Sequence, residues 1–162
     1  MASDFTSKNV TLHFMDLDII GLLKQVELEY DRDIKAAGLD IRWSLPGEKV
    51  VLRLDSQKAY RVFENLIVNI TKYALPHTRV FIDVEETDRE AVVRIKNVSA
   101  AELTFDTEEI TDRFVRGDAS RNTEGSGLGL AIARSFTELM HGTLQVSTEA
   151  DLFRVEIRFP KP

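Results

Sequence analysis

The stretch from Ser56 to Ala74 limits the possible folds more than any other. Asp55 and Ser56 supply the short oxygen-bearing side chains that cap a helix N-terminus, and Pro76 stops the helix beyond its other end. At 3.6 residues per turn, Phe63, Leu66, Ile67 and Ile70 fall on one side, while Asn65, Asn69 and Lys72 fall within a narrow arc on the other. A helix with one apolar side must bury it against another layer of structure. Asparagine is a mediocre helix former, because its amide competes for backbone hydrogen bonds. Two of them on one stripe point to a ligand-facing surface, with a solvated helix face as the alternative reading. An amide oxygen is a hard, neutral ligand suited to magnesium, which keeps several waters and takes phosphate oxygens as further ligands.

The surrounding sequence predicts a mixed sheet. Apolar spacing from Ile19 to Ala37 predicts one helix ended by Gly38. Leu39–Leu45 and Lys49–Leu54 alternate around Pro46-Gly47, which predicts two strands joined by a tight turn. Thr78–Glu85 and Ala91–Lys96 read as strands around the polar turn Glu86–Glu90, and Thr143–Ser147 and Leu152–Phe159 as two more. Between Asn97 and Glu124 the pattern dissolves into a polar loop of about thirty residues, far beyond the usual 4 to 6, as in a functional lid. It runs into Glu124-Gly-Ser-Gly-Leu-Gly-Leu130 and then a helix whose expected core face is Leu128, Ile132, Phe136, Leu139 and Met140, closed by His141-Gly142. The expected fold is α/β: a two-layer sandwich with a mixed sheet covered by about three helices on one face and a long lid.

Composition narrows the function. At 162 residues the chain suits one domain, with residues 1–11 read as a linker or expression remnant and residues 12–162 as the domain. Without cysteine there is no disulfide and no thiolate metal site. The net charge of −6 is interspersed and no Lys/Arg block occurs, which argues against nucleic acid as a partner. No apolar run approaches the ~20 residues that span a bilayer, so the fragment is expected to be soluble.

Gly125, Gly127 and Gly129 open a helix, where close-approaching N–H groups and the helix dipole suit phosphate. A flexible hinge is the alternative reading. There is no Gly-Lys-Ser/Thr ending of a P-loop, and a polar loop stands where a dinucleotide fingerprint needs a strand.

In this order and context, Glu64-Asn-Leu-Ile-Val-Asn-Ile-Thr-Lys-Tyr73 resembles the asparagine box of sensor histidine kinases. Glu124-Gly-Ser-Gly-Leu-Gly-Leu-Ala-Ile-Ala133 resembles their second glycine box, and Asp112-Arg-Phe-Val-Arg-Gly-Asp-Ala-Ser-Arg121 their lid segment. The resemblance covers about Leu12 to Pro160 and places the chain with the GHKL superfamily of ATPases and kinases. It implies a catalytic domain that binds ATP and Mg2+ and passes the γ-phosphoryl group to a histidine on a separate dimerisation and histidine-phosphotransfer domain, for relay to a response regulator. It implies a cytoplasmic domain of a membrane-anchored parent. By the same resemblance Asn69 is the magnesium ligand, Asn65 and Lys72 lie at the phosphates, and Tyr73 lies against the adenine or ribose. Arg116 meets the terminal phosphate; Gly125, Gly127 and Gly129, with the backbone at Leu128 and Leu130, wrap the phosphate chain. Arg113 and Arg121 are weaker candidates, and Phe114 is a lid anchor.

In the superfamily's hydrolases a water-activating glutamate stands at the position of Asn65, an amide that cannot act as a general base, so kinase is favoured over ATPase. Asn97 stands where the family has an adenine-reading aspartate, Ser99 and Ala101 replace usual glycines, and Thr111 replaces a common phenylalanine. A degenerate GHKL nucleotide-binding regulatory module and an anti-sigma-type serine kinase are the alternatives. His13, His77 and His141 lack phosphoacceptor surroundings, and Trp43 is expected in the core.

Overall fold

A computed structural model of the chain describes residues 11–101 and 128–162, with the side chain of Leu128 left aside. The elements run β1 (Phe14–Asp18), α1 (Ile19–Glu29), α2 (Asp31–Ala36), β2 (Asp40–Ser44), β3 (Val51–Asp55), α3 (Ser56–Tyr73), β4 (Arg79–Glu86), β5 (Glu90–Val98), α4 (Leu128–Leu139), β6 (Thr143–Glu149) and β7 (Leu152–Pro160). Five strands form one mixed sheet in the order β2-β4-β5-β7-β6, and β1 pairs with β3 in a separate two-stranded ribbon. Only the β2–β4 pair of the large sheet is parallel, with Asp40 opposite Arg79 and Ser44 opposite Asp83.

The core lies between the helices and one face of the large sheet. Phe63 and Leu66 of α3, Ile82 of β4, Ile95 of β5, and Ile157 and Phe159 of β7 are all essentially inaccessible there. The opposite face carries ion pairs: Arg94 reaches Glu156 at 2.7 Å and Glu85 at 2.9 Å, and Arg158 reaches Glu90 at 2.7 Å. Val92, in register with Arg158 on that face, is buried outside the main core cluster, where long charged stems cover it.

Three sequence expectations change. The Ile19–Ala37 helix breaks at Tyr30 (φ −105°, ψ 16°), which ends α1 and precedes α2. Leu39–Leu45 and Lys49–Leu54 do not form a hairpin: β3 pairs antiparallel with β1, while β2 joins β4 through a crossover that includes α3, as a parallel pair requires. The buried residues of α4 are Leu130, Ala133 and Thr137, with Met140 buried just beyond its end, leaving Ile132, Phe136 and Leu139 half-buried. Strand β1, not anticipated, is tied to the α3 cap, because Asp55 accepts from His13 N at 2.8 Å and Lys58 N at 2.9 Å. Burial pushes the Asp55 pKa up, but these backbone bonds and the Lys58 charge outweigh it and hold the carboxyl below its usual range.

His141-Gly142 does close α4, with the two roles divided. His141 takes the left-handed conformation (φ 70°) and donates to Glu138 O at 3.0 Å, while Gly142 N donates to Thr137 O at 2.9 Å, a Schellman closure. Gly142 is required for space: a Cβ there would lie 2.6 Å from Arg158 O and 2.7 Å from the Phe159 ring. Gly142→Ala should therefore destabilise the fold by on the order of 1–3 kcal/mol through overpacking, read as a lower denaturant midpoint at unchanged slope.

Candidate nucleotide site

Helix α3 presents Asn65 to the first turn of α4. The Nδ2 atom of Asn65 is buried and has no hydrogen-bond partner, and among the described residues it is the one side-chain nitrogen or oxygen in that state. An orphaned buried donor costs about 1–3 kcal/mol, so the position calls for an acceptor from beyond the described residues. Gly129 packs directly against it: an added Cβ would sit 3.4 Å from Asn65 Oδ1, in van der Waals contact. A buried amide donor, a closely approaching glycine backbone and a helix N-terminus at one place together suit an anionic oxygen.

Asn69 lies one turn further along α3 and is half-buried; Lys72 is exposed and Tyr73 half-buried. The end of α3 is stitched to the chain leaving β5. Ala100 N donates to Tyr73 O at 2.9 Å, Leu75 N donates to Val98 O at 2.8 Å, and Ala74 bridges Ser99. This brings Asn97 to the same end of α3. Asn97 is 4% exposed, and its Nδ2 donates to Val98 O at 3.3 Å. Its amide hydrogens are thus partly committed within the chain, and Oδ1 is its remaining acceptor function.

Leu130 is buried in the core, so any contact it makes with a ligand runs through its backbone. Arg113, Phe114, Arg116, Arg121, Gly125 and Gly127 lie outside the described residues, as do the lid and Thr111. Trp43 is half-buried against the core, donates to Glu27 at 3.3 Å and carries Lys24 Nζ 4.1 Å above its ring, so it belongs to the packing. Among the described residues no cluster of three or more His, Asp or Glu could hold a metal, and no helix is long and apolar enough to cross a membrane.

The sequence reading missed a polar link beside the site. Tyr30 OH donates to Glu64 Oε2 at 2.6 Å, and Arg61 donates to Glu64 Oε1 at 2.8 Å. The hydrogen bond to Glu64, followed by burial, pushes the Tyr30 phenol up to about 12. A tyrosine on a mostly apolar helix face needs a partner for its hydroxyl, and that was the available signal.

The profile of the histidine kinase-, DNA gyrase B- and HSP90-like ATPase family matches residues 54–162, more than half of the chain. The chain belongs to this family. The probable sensor protein PcoS of Escherichia coli is 33% identical over 136 residues, covering 83% of this chain and 28% of PcoS. The chain spans less than half the length of the curated relatives it matches. The catalytic domain of histidine kinase ThkA superposes with a TM-score of 0.79 at 19% identity, covering 93% of this chain and 97% of that one. Full-length ShkA in complex with AMPPNP superposes equally well, TM-score 0.79 at 20% identity, over 98% of this chain and 33% of its own. The two-layer α/β fold is that of the ATP-binding catalytic domain of sensor histidine kinases.

Proposed function

We propose that residues 12–162 form the ATP-binding catalytic domain of a sensor histidine kinase, residues 1–11 being a linker or expression remnant. It transfers the γ-phosphoryl group of ATP to a histidine on a separate dimerisation domain, from which a response regulator takes it. The observation that carries this reading is the orphaned Nδ2 of Asn65 beside Gly129, at the start of the glycine-box helix of an ATPase-family fold. The ShkA complex with AMPPNP supports a nucleotide as the missing acceptor. The parent protein is anchored in a membrane and presents this domain to the cytoplasm.

Magnesium, when bound with ATP, supplies positive charge at the phosphate oxygens. Asn69 offers its amide oxygen to that ion, and Asn65 Nδ2 donates to a phosphate oxygen. Lys72 adds charge on the same stripe, and Tyr73 lies beside the base or ribose. By the family resemblance, the backbone from Gly125 through Gly127, Leu128, Gly129 and Leu130 would line the phosphate chain, and Arg116 would meet its terminal group. No general base faces the phosphates from α3: Asn65 is an amide, and both oxygens of Glu64 are engaged by Tyr30 and Arg61. That favours transfer to an incoming imidazole over hydrolysis. The degenerate-module alternative rests only on the altered residues Asn97, Ser99 and Ala101. The direct test is transfer in trans, with radiolabelled ATP and a separate fragment carrying the dimerisation helices.

Asn97 reads adenine through Oδ1, accepting from the exocyclic amine. Asn97→Asp should then tighten ATP binding by about 0.5–1.5 kcal/mol, since the new bond is charge-assisted. It also loses the donor to Val98 O in both free and bound protein. That loss lowers the melting temperature but cancels from the binding difference. Titration of both proteins with ATP and GTP checks this: GTP, with a carbonyl at that position, should bind the variant more weakly. Equal or weaker ATP binding by the variant removes Asn97 from the adenine site.

A further inference from the structure

We propose that Glu64 is a positioning residue for the nucleotide site: held by Tyr30 and Arg61, it fixes the rotation of α3 and so aims Asn65 and Asn69. The inference rests on the nucleotide-binding reading above. Glu64 immediately precedes Asn65, about 100° round the helix, so the two side chains leave α3 in different directions. Its side chain is 17% exposed, with one oxygen on the Tyr30 hydroxyl at 2.6 Å and the other on Arg61 at 2.8 Å. Tyr30 stands where α1 ends and α2 begins, packed against the core, so it is a fixed post. One turn earlier on α3, Tyr60 donates to Glu29, the residue before Tyr30. Two tyrosine–glutamate pairs therefore run in opposite senses between the α1–α2 corner and α3.

The close-packed apolar side of α3 resists a roll, but burial itself is non-directional, so a hydrogen-bonded post defines the angle more sharply. Side-chain tips lie about 5–6 Å from the helix axis, so a roll of about 15° moves an amide by about 1.5 Å. A displacement of that size is enough to spoil a metal ligand or a phosphate donor. The Asp55 cap fixes the start of α3, and the Glu64 clamp acts mid-helix, one residue before Asn65.

The test is calorimetric titration of the full chain with ATP and magnesium, well below the melting temperature, alongside thermal melts. Glu64→Ala and Tyr30→Phe should each weaken magnesium-ATP binding by about 5- to 20-fold. Glu64→Gln, which keeps an oxygen for Tyr30, should return affinity to near the wild-type value. Tyr60→Phe cuts the other pair but leaves Glu64 held, so it should lower the melting temperature without weakening binding. If Glu64→Ala does not fold, Tyr30→Phe decides. Unchanged affinity in Tyr30→Phe, with only a lower melting temperature, would reduce the clamp to a structural role and overturn the proposal. A wild-type chain that binds no magnesium-ATP would instead overturn the underlying function, and the positioning role with it.

Discussion

Asn69→Ala should abolish magnesium-dependent ATP binding while leaving the fold in place. The residue lies one turn beyond Asn65 on the polar stripe of α3 and is half-buried, to one side of the core residues Phe63 and Ile70. Its amide oxygen is the protein's proposed ligand to the ion, and magnesium accepts few substitutes because it demands near-octahedral oxygen geometry. Removing it should weaken binding at least about 100-fold, or about 2.8 kcal/mol. The apo fold has little to lose. Alanine is the better helix former by a few tenths of a kcal/mol, and Asn69 is half-buried and outside the hydrophobic core cluster. Calorimetry with ATP, with and without magnesium, separates the two effects. The variant should bind ATP equally weakly in both conditions and melt at or slightly above the wild-type temperature. Unchanged magnesium-dependent affinity would remove Asn69 from the site.

What was legible in the sequence followed from local chemistry repeated over many residues. Helix α3 was legible because a capping Asp55, a long apolar stripe and a stop at Pro76 all agree; its observed end at Tyr73 is one residue short of the expectation. Strands β4 to β7 were legible because alternation and polar turns coincide. Pairing was not. Nothing in Leu39–Leu54 reveals that β2 and β3 part to different sheets, since that choice is made by the α3 crossover and by β1. The break at Tyr30 was hidden because Val26 and Ile34 are both buried and their spacing alone suits a continuous helix. The Tyr30–Glu64 bond that accompanies the break joins residues 34 apart, beyond any local pattern. At the site, the stripe of Asn65, Asn69 and Lys72 was legible from helical periodicity. The burial of Asn65 Nδ2 without a partner was not, because it depends on how α4 lies across α3.

The chain on its own should bind ATP and acquire no acid-labile phosphate. In-line transfer needs the attacking imidazole within about 3–3.5 Å of the reacting phosphorus. None of the three histidines is placed for that. His141 sits at the far end of α4 from Gly129, and a helix of 12 residues is about 18 Å long. Its ring is also stacked on Phe14, with centroids 6.0 Å apart. His13, adjacent to Phe14 in the chain, is held at that same end by its backbone bond to Asp55. His77 is fixed in a turn against the end of α2, its backbone N–H donating to Gly38 O at 2.9 Å. On the proposed function, phosphoryl transfer therefore needs a nucleophile carried in by another domain, against the face where Asn65 meets α4. With γ-labelled ATP, label should appear only when a fragment carrying the dimerisation helices is added, and on that fragment; Asn69→Ala should suppress it. Phosphate mapped to His13, His77 or His141 in the chain alone would overturn the division of labour between the two domains, and with it the reading of this chain as the catalytic half.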